Sequence, residues 1–352
     1  MRFRDLEVHR YRNLEDREIT WSPGINVLLG PNGAGKTNLL EAMDLLAGWG
    51  PFGDRPASVV PWEGSGDTWV RGRLEGEETA VASVQVRGRT LLRWGGSPVR
   101  ATQMRTSLPV LAFLPDSLSV VEGSASQRRR LLDQVGALVY PPYALRLHDY
   151  RRALRQRTAC LRRGERDDLV LRVLAPLGVW LWRAREDVAR RLASRLEGVG
   201  PLLSAPLELR YHRGGGGWEE DSKEDFRRGL LRHRDRERLS RTPLVGPQRD
   251  DLAFLSGKIP AAERFSRGHR RRAAVALMLA SAGVVRDALR RDPVLLLDEV
   301  TAELDGEGKG ILFSSLEATG WQVFAATADA DAPLPGAVYR IEGGKVFPPR
   351  EG

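Results

Sequence analysis

A mixed α/β nucleotide-binding fold interrupted by a mostly helical, basic insert is the fold class this sequence predicts, and three observations predict it. The phosphate-loop pattern G-x-x-x-x-G-K-[ST] occupies Gly30-Pro31-Asn32-Gly33-Ala34-Gly35-Lys36-Thr37, between an apolar run ending at Leu29 and a helical one opening Asn38-Leu39-Leu40-Glu41. A second apolar run, Val294 to Leu297, ends in Asp298-Glu299 about 260 residues after Lys36, far more than a compact mononucleotide-binding core needs. Between the two runs the pattern turns helical and carries the whole charge excess. Residues 121–240 hold 26 Lys+Arg against 17 Asp+Glu, leaving 29 of each elsewhere in a chain of net charge +9. The expected division is therefore 1–120 and 241–352 as two parts of one nucleotide-binding head, with 121–240 as the inserted lobe.

Taken in order, Phe3-Arg4-Asp5-Leu6-Glu7-Val8 alternates charged and apolar residues, and two or three short strands should feed the phosphate loop. The helix opening near Lys36 should stop at Gly48-Trp49-Gly50-Pro51. Strand-like patches at Thr79 to Val86 and Arg89 to Trp94, parted by glycine-rich turns, predict an antiparallel meander, and Val110 to Leu114 is another apolar run. Helices are expected over 126–133, 142–163, 165–175, 178–197 and 222–241. Pro141-Pro142, Gly164, Pro176 and Gly198 to Pro201 interrupt the heptads that coiled-coil arms would need, so short packed helices are predicted. A strand at Leu207 to Tyr211 runs into Gly214 to Gly217, read as a flexible turn. Then come a strand at Leu252 to Leu255, a helix from Arg272 to Leu289, the buried strand ending at Asp298, and a turn at Glu303-Leu304-Asp305-Gly306. A helix to about Ala318 and a core strand at Gln322 to Thr327 complete the order. There is no internal repeat.

Apolar residues at 41% and charged residues at 29% fit a globular chain with ample core. The single cysteine, Cys160, excludes an internal disulfide. The N-terminus has charges where a secretory signal needs an apolar core, and no window reaches about 18 apolar residues, so a cytoplasmic, non-membrane protein is expected. A localised basic excess beside a nucleotide motif points to nucleic acid, because neutralising phosphates releases counterions; the alternative is a solvated arginine-rich helical face.

The loop glycines let backbone N–H groups turn toward a polyphosphate, Lys36 reaches the β- and γ-phosphates, and the Thr37 hydroxyl can ligate magnesium. Asp298 can hold that magnesium through water and Glu299 can orient the attacking water, which is most of what phosphoryl transfer asks of a protein. Ser266-Arg267-Gly268 stands about 30 residues before Asp298 at the head of a helix, where a hydroxyl and N–H groups bind anions. ABC-type ATPases carry their signature motif there and present it to ATP on the opposite subunit. Each site is then shared, and hydrolysis requires a two-fold dimer.

Further blocks occur in a fixed order: Tyr11-Arg12-Asn13, Ser22-Pro23-Gly24-Ile25-Asn26-Val27, the phosphate loop with Asn38 to Ala42, Gly123-Ser124 with Arg128 to Arg130, Gly246-Pro247-Gln248-Arg249-Asp250-Asp251-Leu252, Ser266-Arg267-Gly268, Leu295 to Glu299 and Glu303-Leu304-Asp305. With these the chain resembles the RecF family of bacterial recombinational repair, relatives of the ATPase heads of structural-maintenance-of-chromosomes proteins. The resemblance implies an ABC-type P-loop ATPase head, a mixed sheet with an antiparallel β part, carrying a helical second lobe in place of coiled-coil arms. It implies a weak DNA-stimulated ATPase that takes ATP and Mg2+, dimerises on ATP, binds gapped, duplex or single-stranded DNA, and with RecO and RecR helps load RecA. By position it assigns ATP to Gly30, Pro31, Asn32, Gly33, Ala34, Gly35, Lys36, Thr37, Asn38 and Arg12, with Ser266, Gly268 and Asp305 acting across the dimer. It assigns magnesium to Thr37 and Asp298, and catalysis to Glu299 and Lys36.

Some positions depart from that pattern. His269 stands where the signature has glutamine, and Arg267 where it often has glycine. Ala328 stands where many ABC-type ATPases carry a histidine that senses the γ-phosphate, which predicts slow hydrolysis. Gln248 replaces a histidine, so that position is not expected to be a required base, and Asp116 is the candidate for the glutamine that links magnesium to the helical lobe. Other readings are a nucleotide-gated clamp with negligible hydrolysis and a transporter ATPase, which the basic insert disfavours. DNA contacts are not assigned residue by residue: Arg128 to Arg130, Arg151, Arg152, Arg155, Arg162 and Arg163 are candidates, each with a solvated helix residue as the alternative.

Overall fold

Alternating burial makes Phe3–His9 a strand, β1, with Phe3, Leu6 and Val8 inward and Arg4 outward. It pairs antiparallel with β2 (Arg17–Thr20). The chain then enters β3 (Ile25–Leu29) and α1 (Lys36–Leu46) before returning as the antiparallel meander β4 (Thr68–Leu74), β5 (Thr79–Val84), β6 (Thr90–Trp94) and β7 (Ser97–Val99). These strands form a six-stranded sheet in the order β2-β1-β4-β5-β6-β7. A short helix absent from the sequence reading, α2 (Ala101–Ser107), precedes β8 (Val110–Phe113). The computed structural model describes residues 1–50, 52, 68–76, 79–84, 90–203, 205–299, 304, 306–329 and 335–349.

The insert follows as α3 (Ala125–Val139), α4 (Tyr143–Arg163), α5 (Asp168–Leu196), β9 (Glu208–His212), α6 (Ser222–Ser240), β10 (Asp251–Ser256), β11 (Ile259–Pro260), α7 (Ala261–Arg264) and α8 (Arg267–Leu289). The chain then closes the head with β12 (Val294–Asp298), α9 (Gly306–Thr319), β13 (Val323–Thr327), β14 (Ala337–Glu342) and β15 (Lys345–Phe347). The second large sheet runs β15-β14-β3-β13-β12-β8, and every neighbouring pair in it but β14–β15 is parallel. All five residues of β12 and of β13 are buried, as a parallel strand covered on both faces requires. Leu39, Leu40, Met43 and Leu46 of α1 share one core with Phe3, Leu6 and Val70 of the antiparallel sheet and with Leu28, Leu296 and Phe324 of the parallel one. Two compact units result, Met1–Leu118 with Val285–Gly352, and Ser119–Val284.

The second unit differs from the sequence-based expectation in four places. Its C-terminal edge is Val284, not residue 240, because β10 pairs with β9, placing Leu252 opposite Tyr211, and because Asp250 anchors the unit's core. Fully buried, Asp250 accepts from Trp182 Nε1 at 2.8 Å, Arg185 Nη1 at 2.7 Å, the Gly214 amide at 2.9 Å and the Tyr211 hydroxyl. Helix α5 runs 29 residues straight through Pro176. A proline removes one backbone donor, and burial of Leu174, Gly178, Leu181 and Trp182 on the same helix outweighs that loss. Gly214 to Gly217 is no loose turn: a Cβ on Gly216 would come within 2.6 Å of Asp225 Oδ2 and 3.0 Å of Trp182. Helix α8 also starts earlier than Arg272, at Arg267, because the Ser266 hydroxyl accepts from the His269 amide. Strands β14 and β15 had no counterpart in the reading. Among the described residues no helix is long and apolar enough to cross a membrane.

Because four donors converge on one buried carboxylate, Asp250→Ala should lower stability by about 3–5 kcal/mol by leaving Trp182, Tyr211 and the Gly214 amide without their acceptor and Arg185 with Asp133 as its one remaining carboxylate. Urea unfolding followed by tryptophan fluorescence checks this, and a loss under about 1 kcal/mol would reject Asp250 as the anchor.

Candidate nucleotide site

Register brings the two motifs together. Asp298 of β12 lies level with Ala326 of β13, and Ala326 with Leu28 of β3, so the loop leaving β3 starts beside the carboxyl end of β12. In parallel sheets that end is where ligands bind. The Gly30 amide donates to Thr327 O at 3.3 Å, and a Cβ there would sit 2.2 Å from Ile341 O, so only glycine fits. Gly35, at φ 114°, sits at the N-terminal end of α1 in a conformation other residues resist. The loop is braced from outside: Asn13 Nδ2 donates to Gly33 O at 3.1 Å, Asn38 Nδ2 donates to Asn13 Oδ1 at 2.7 Å, and the Gly344 amide donates to Ala34 O at 2.8 Å. Pro31, Asn32 and Gly33 face solvent. The first turn of α1 holds no acid and has no side-chain cap, so its N-terminal partial charge is left for an anion.

Lys36 is buried, and its Nζ donates to Gly30 O at 2.8 Å and Pro31 O at 3.1 Å and lies 3.2 Å from Glu299 Oε1. Thr37 is exposed, and its Oγ1 is 3.0 Å from both carboxylate oxygens of Asp298. A hydroxyl and a carboxylate converging at an open surface are hard oxygen donors that fit a small divalent cation retaining several waters. Glu299 adopts φ 53°, a left-handed backbone that side chains seldom take outside strained or functional positions, and its amide donates to Ala326 O at 3.1 Å. Burial first, and the neighbouring Glu299 carboxylate second among the upward influences, raise the Asp298 carboxyl above its ordinary value against the opposing pull of Thr37 and Lys36.

The other predicted residues fall in several places. Arg12 is brought to Glu41 of α1 in a bidentate pair, its Nη2 donating at 2.9 Å, and the Tyr11 hydroxyl donates to the same carboxylate at 3.1 Å. Ser266 and Gly268 open α8 in the second unit, with Ser266 exposed. Asp305 and Glu303 lie outside the described residues. Asp116 is exposed in a short 3-10 turn after β8, and Ala328 is exposed just after β13. Gln248 accepts from the Tyr150 hydroxyl and donates to Val245 O at 2.9 Å, a packing role. Arg128 is clamped on Asp251 at 2.6 and 2.9 Å, and Arg129 donates to Asp250 O at 2.7 Å; neither is a free arginine placed for DNA. No local motif gives Asn13 or Glu41 a role of its own. Both sit within the blocks that carried the resemblance, yet their partners lie 25 and 29 residues away, beyond any local pattern.

A family model described as "AAA domain" matches residues 5–91. The DNA replication and repair protein RecF of Heliobacterium modesticaldum is 32% identical, over 98% of this chain and 99% of its own length. The protein of the same name from Anaeromyxobacter dehalogenans is 34% identical over 99% of each. Among solved structures, the recombination mediator protein RecF-ATPrS of the RecFOR pathway superposes with a TM-score of 0.88 at 24% identity, covering 99% of this chain and 98% of that one. The Smc head bound to the C-winged helix domain of ScpA superposes at 0.55 and 15%, covering 98% of this chain and 96% of that one. The fold is thus that of an ABC-type ATPase head carrying a mostly helical lobe.

The raised Asp298 pKa has a sign that can be tested. A carboxyl whose folded value lies above its unfolded one stabilises the fold when protonated, so its contribution is present below the unfolded value and is lost as pH rises through the folded one. Nucleotide-free Asp298→Asn should therefore melt at or above wild type near about pH 8 and draw level with it toward about pH 4. Thermal melts across pH check this, and a deficit of the same size at every pH would contradict it.

Proposed function

The chain belongs to the RecF family of DNA replication and repair proteins, and on that premise we propose that it is an ATP-dependent DNA-binding protein of recombinational repair and replication restart. The observation that carries the reading is the convergence of Lys36, Thr37, Asp298 and Glu299, contributed by segments 261 residues apart, at one end of the parallel sheet. ATP is the ligand: its phosphates lie along Gly30 to Asn38, with Arg12 behind the loop on Glu41. Magnesium, held by Thr37 and Asp298, supplies charge neutralisation at the phosphates. Lys36 neutralises the β- and γ-phosphates, and Glu299 orients the water that attacks the γ-phosphate. A phosphate at Lys36 competes with Glu299 for the same ammonium, so nucleotide binding itself releases the carboxylate for water.

Ser266 and Gly268 reach ATP on a second copy of the chain, with Asp305 in the loop crossing that interface, so ATP closes a homodimer. The dimer grips DNA, hydrolysis is a slow, DNA-stimulated release timer, and partners equivalent to RecO and RecR act with it in loading RecA in the cytoplasm. The solved relatives named for ATP, ATPrS and the RecFOR pathway support the ATP ligand and the link to that pathway. A second reading, a nucleotide-gated clamp that barely hydrolyses, is favoured by Ala328 at the γ-phosphate sensor position.

Lys36→Ala should bind ATP about 10- to 100-fold more weakly, since a charge-assisted hydrogen bond is worth about 1.5–3 kcal/mol. Calorimetric affinity near wild type would refute the site. Glu299→Gln should keep ATP binding, slow hydrolysis about a hundredfold or more and prolong the dimer on DNA. A dimer lifetime equal to wild type selects the clamp reading. Ser266→Arg should still bind ATP yet sediment as a monomer with it, and ATP-dependent dimerisation surviving that change would overturn the shared site.

A further inference from the structure

We infer that Trp218 and Arg232, with Arg236 one turn further along α6, form a platform on the second unit on which a base of single-stranded DNA stacks; this rests on the DNA-binding reading above and gives it residues. Trp218 is 54% exposed, whereas Trp182 of the same unit is wholly buried. The Arg232 guanidinium carbon lies 4.3 Å from the centroid of the Trp218 ring, a cation–π pair at the surface.

The indole is held out by the fold. Its own amide donates to Asp225 Oδ1 at 3.0 Å, the Gly217 amide donates to Asp225 Oδ2 at 2.8 Å, and Arg213 Nη1 donates to the same oxygen at 3.2 Å. Asp225 is fully buried on α6, the helix that also carries Arg232, so ring and guanidinium share one rigid frame. Gly216 lies so close to Asp225 and Trp182 that no side chain fits there, so the loop is packed directly on the frame.

Residues 228, 232 and 236 recur every four positions and so line one helix face over about 12 Å. Arg228 is taken by Glu219 and Glu224, whereas among the described residues Arg232 and Arg236 make no ion pair and are exposed. Unpaired guanidinia neutralise phosphates, and a presented indole offers the flat face on which any base stacks. An acidic peptide would use the cations but has no need of the ring.

The test uses the full chain with ATP and measures binding of fluorescein-labelled oligo-dT, of a duplex of equal length and of a polyglutamate peptide, across a salt series. Trp218→Ala should bind oligo-dT about tenfold more weakly with duplex binding nearly unchanged, and Trp218→Phe should restore most of the loss. Arg232→Gln should reduce the slope of log affinity against log salt by about 0.7 for the single strand. Oligo-dT carrying 5-bromodeoxyuridine should photocrosslink to Trp218. ATP affinity and melting temperature should stay at wild-type values because both side chains are exposed. Equal losses on duplex and single strand, an unchanged oligo-dT affinity, or a loss confined to polyglutamate would each overturn the platform while leaving wild-type DNA binding intact. Failure of the wild type to bind any DNA would instead bring down the DNA-binding reading itself.

Discussion

The contact between Thr37 and Asp298 is the constraint on which the head depends, for it joins residues 261 positions apart at 3.0 Å. It forms only if β3, β13 and β12 lie side by side and in register, which makes the two ends of the chain one sheet, and of the segments between them β8 alone, among the described residues, is a strand of that sheet. Helix α1 follows from the same geometry. Springing from the loop at the end of β3, it is covered by both large sheets, and almost none of its surface remains for solvent. The helix that opens at the phosphate loop is thus among the most thoroughly packed elements of the head.

Buried charge organises both units in the same way. In the second unit Arg185 joins Asp250, Asp133 and Pro247 O, and Arg157 joins Glu237 and Asp167, so guanidinia that look like surface cations in a one-dimensional count are internal cross-links. Taking one partner from such a pair strands a charge in a poorly solvating interior, which ties the packing of this unit to the integrity of each pair. In the head, Arg12 and Glu41 play the corresponding part beside the phosphate loop. What remains exposed, rather than the net charge, decides which arginines can meet a polyanion. Arg232 and Arg236 are exposed and make no ion pair among the described residues, whereas Arg128 and Arg129 are held by Asp251 and Asp250 O.

The end of β12 carries a strained backbone. Glu299 holds a left-handed conformation immediately after a strand whose five residues are all buried, so its carboxylate is aimed by the sheet itself. Beside it, Asp298 is kept poorly solvated and Thr37 is left open to solvent. An enclosed carboxylate beside an accessible hydroxyl is a pair of hard oxygen donors that fits a small hydrated cation.

Much of this was legible in the residue order because it rests on local chemistry. The glycines and lysine of the phosphate loop, the apolar strand ending in two acids, the broken heptads and the alternation of the meander each depend on neighbours within a few positions. The wide separation of the two motifs was enough to require an insertion. The sequence alone could not say which buried partner each charge would find, that Pro176 would be spanned by one helix, that Gly216 and Gly217 would be set against Asp225, or that the second unit would extend past residue 240. Those outcomes depend on groups brought together from distant segments, where burial of an apolar face or of an ion pair outweighs local preference. Only the tertiary structure could decide them.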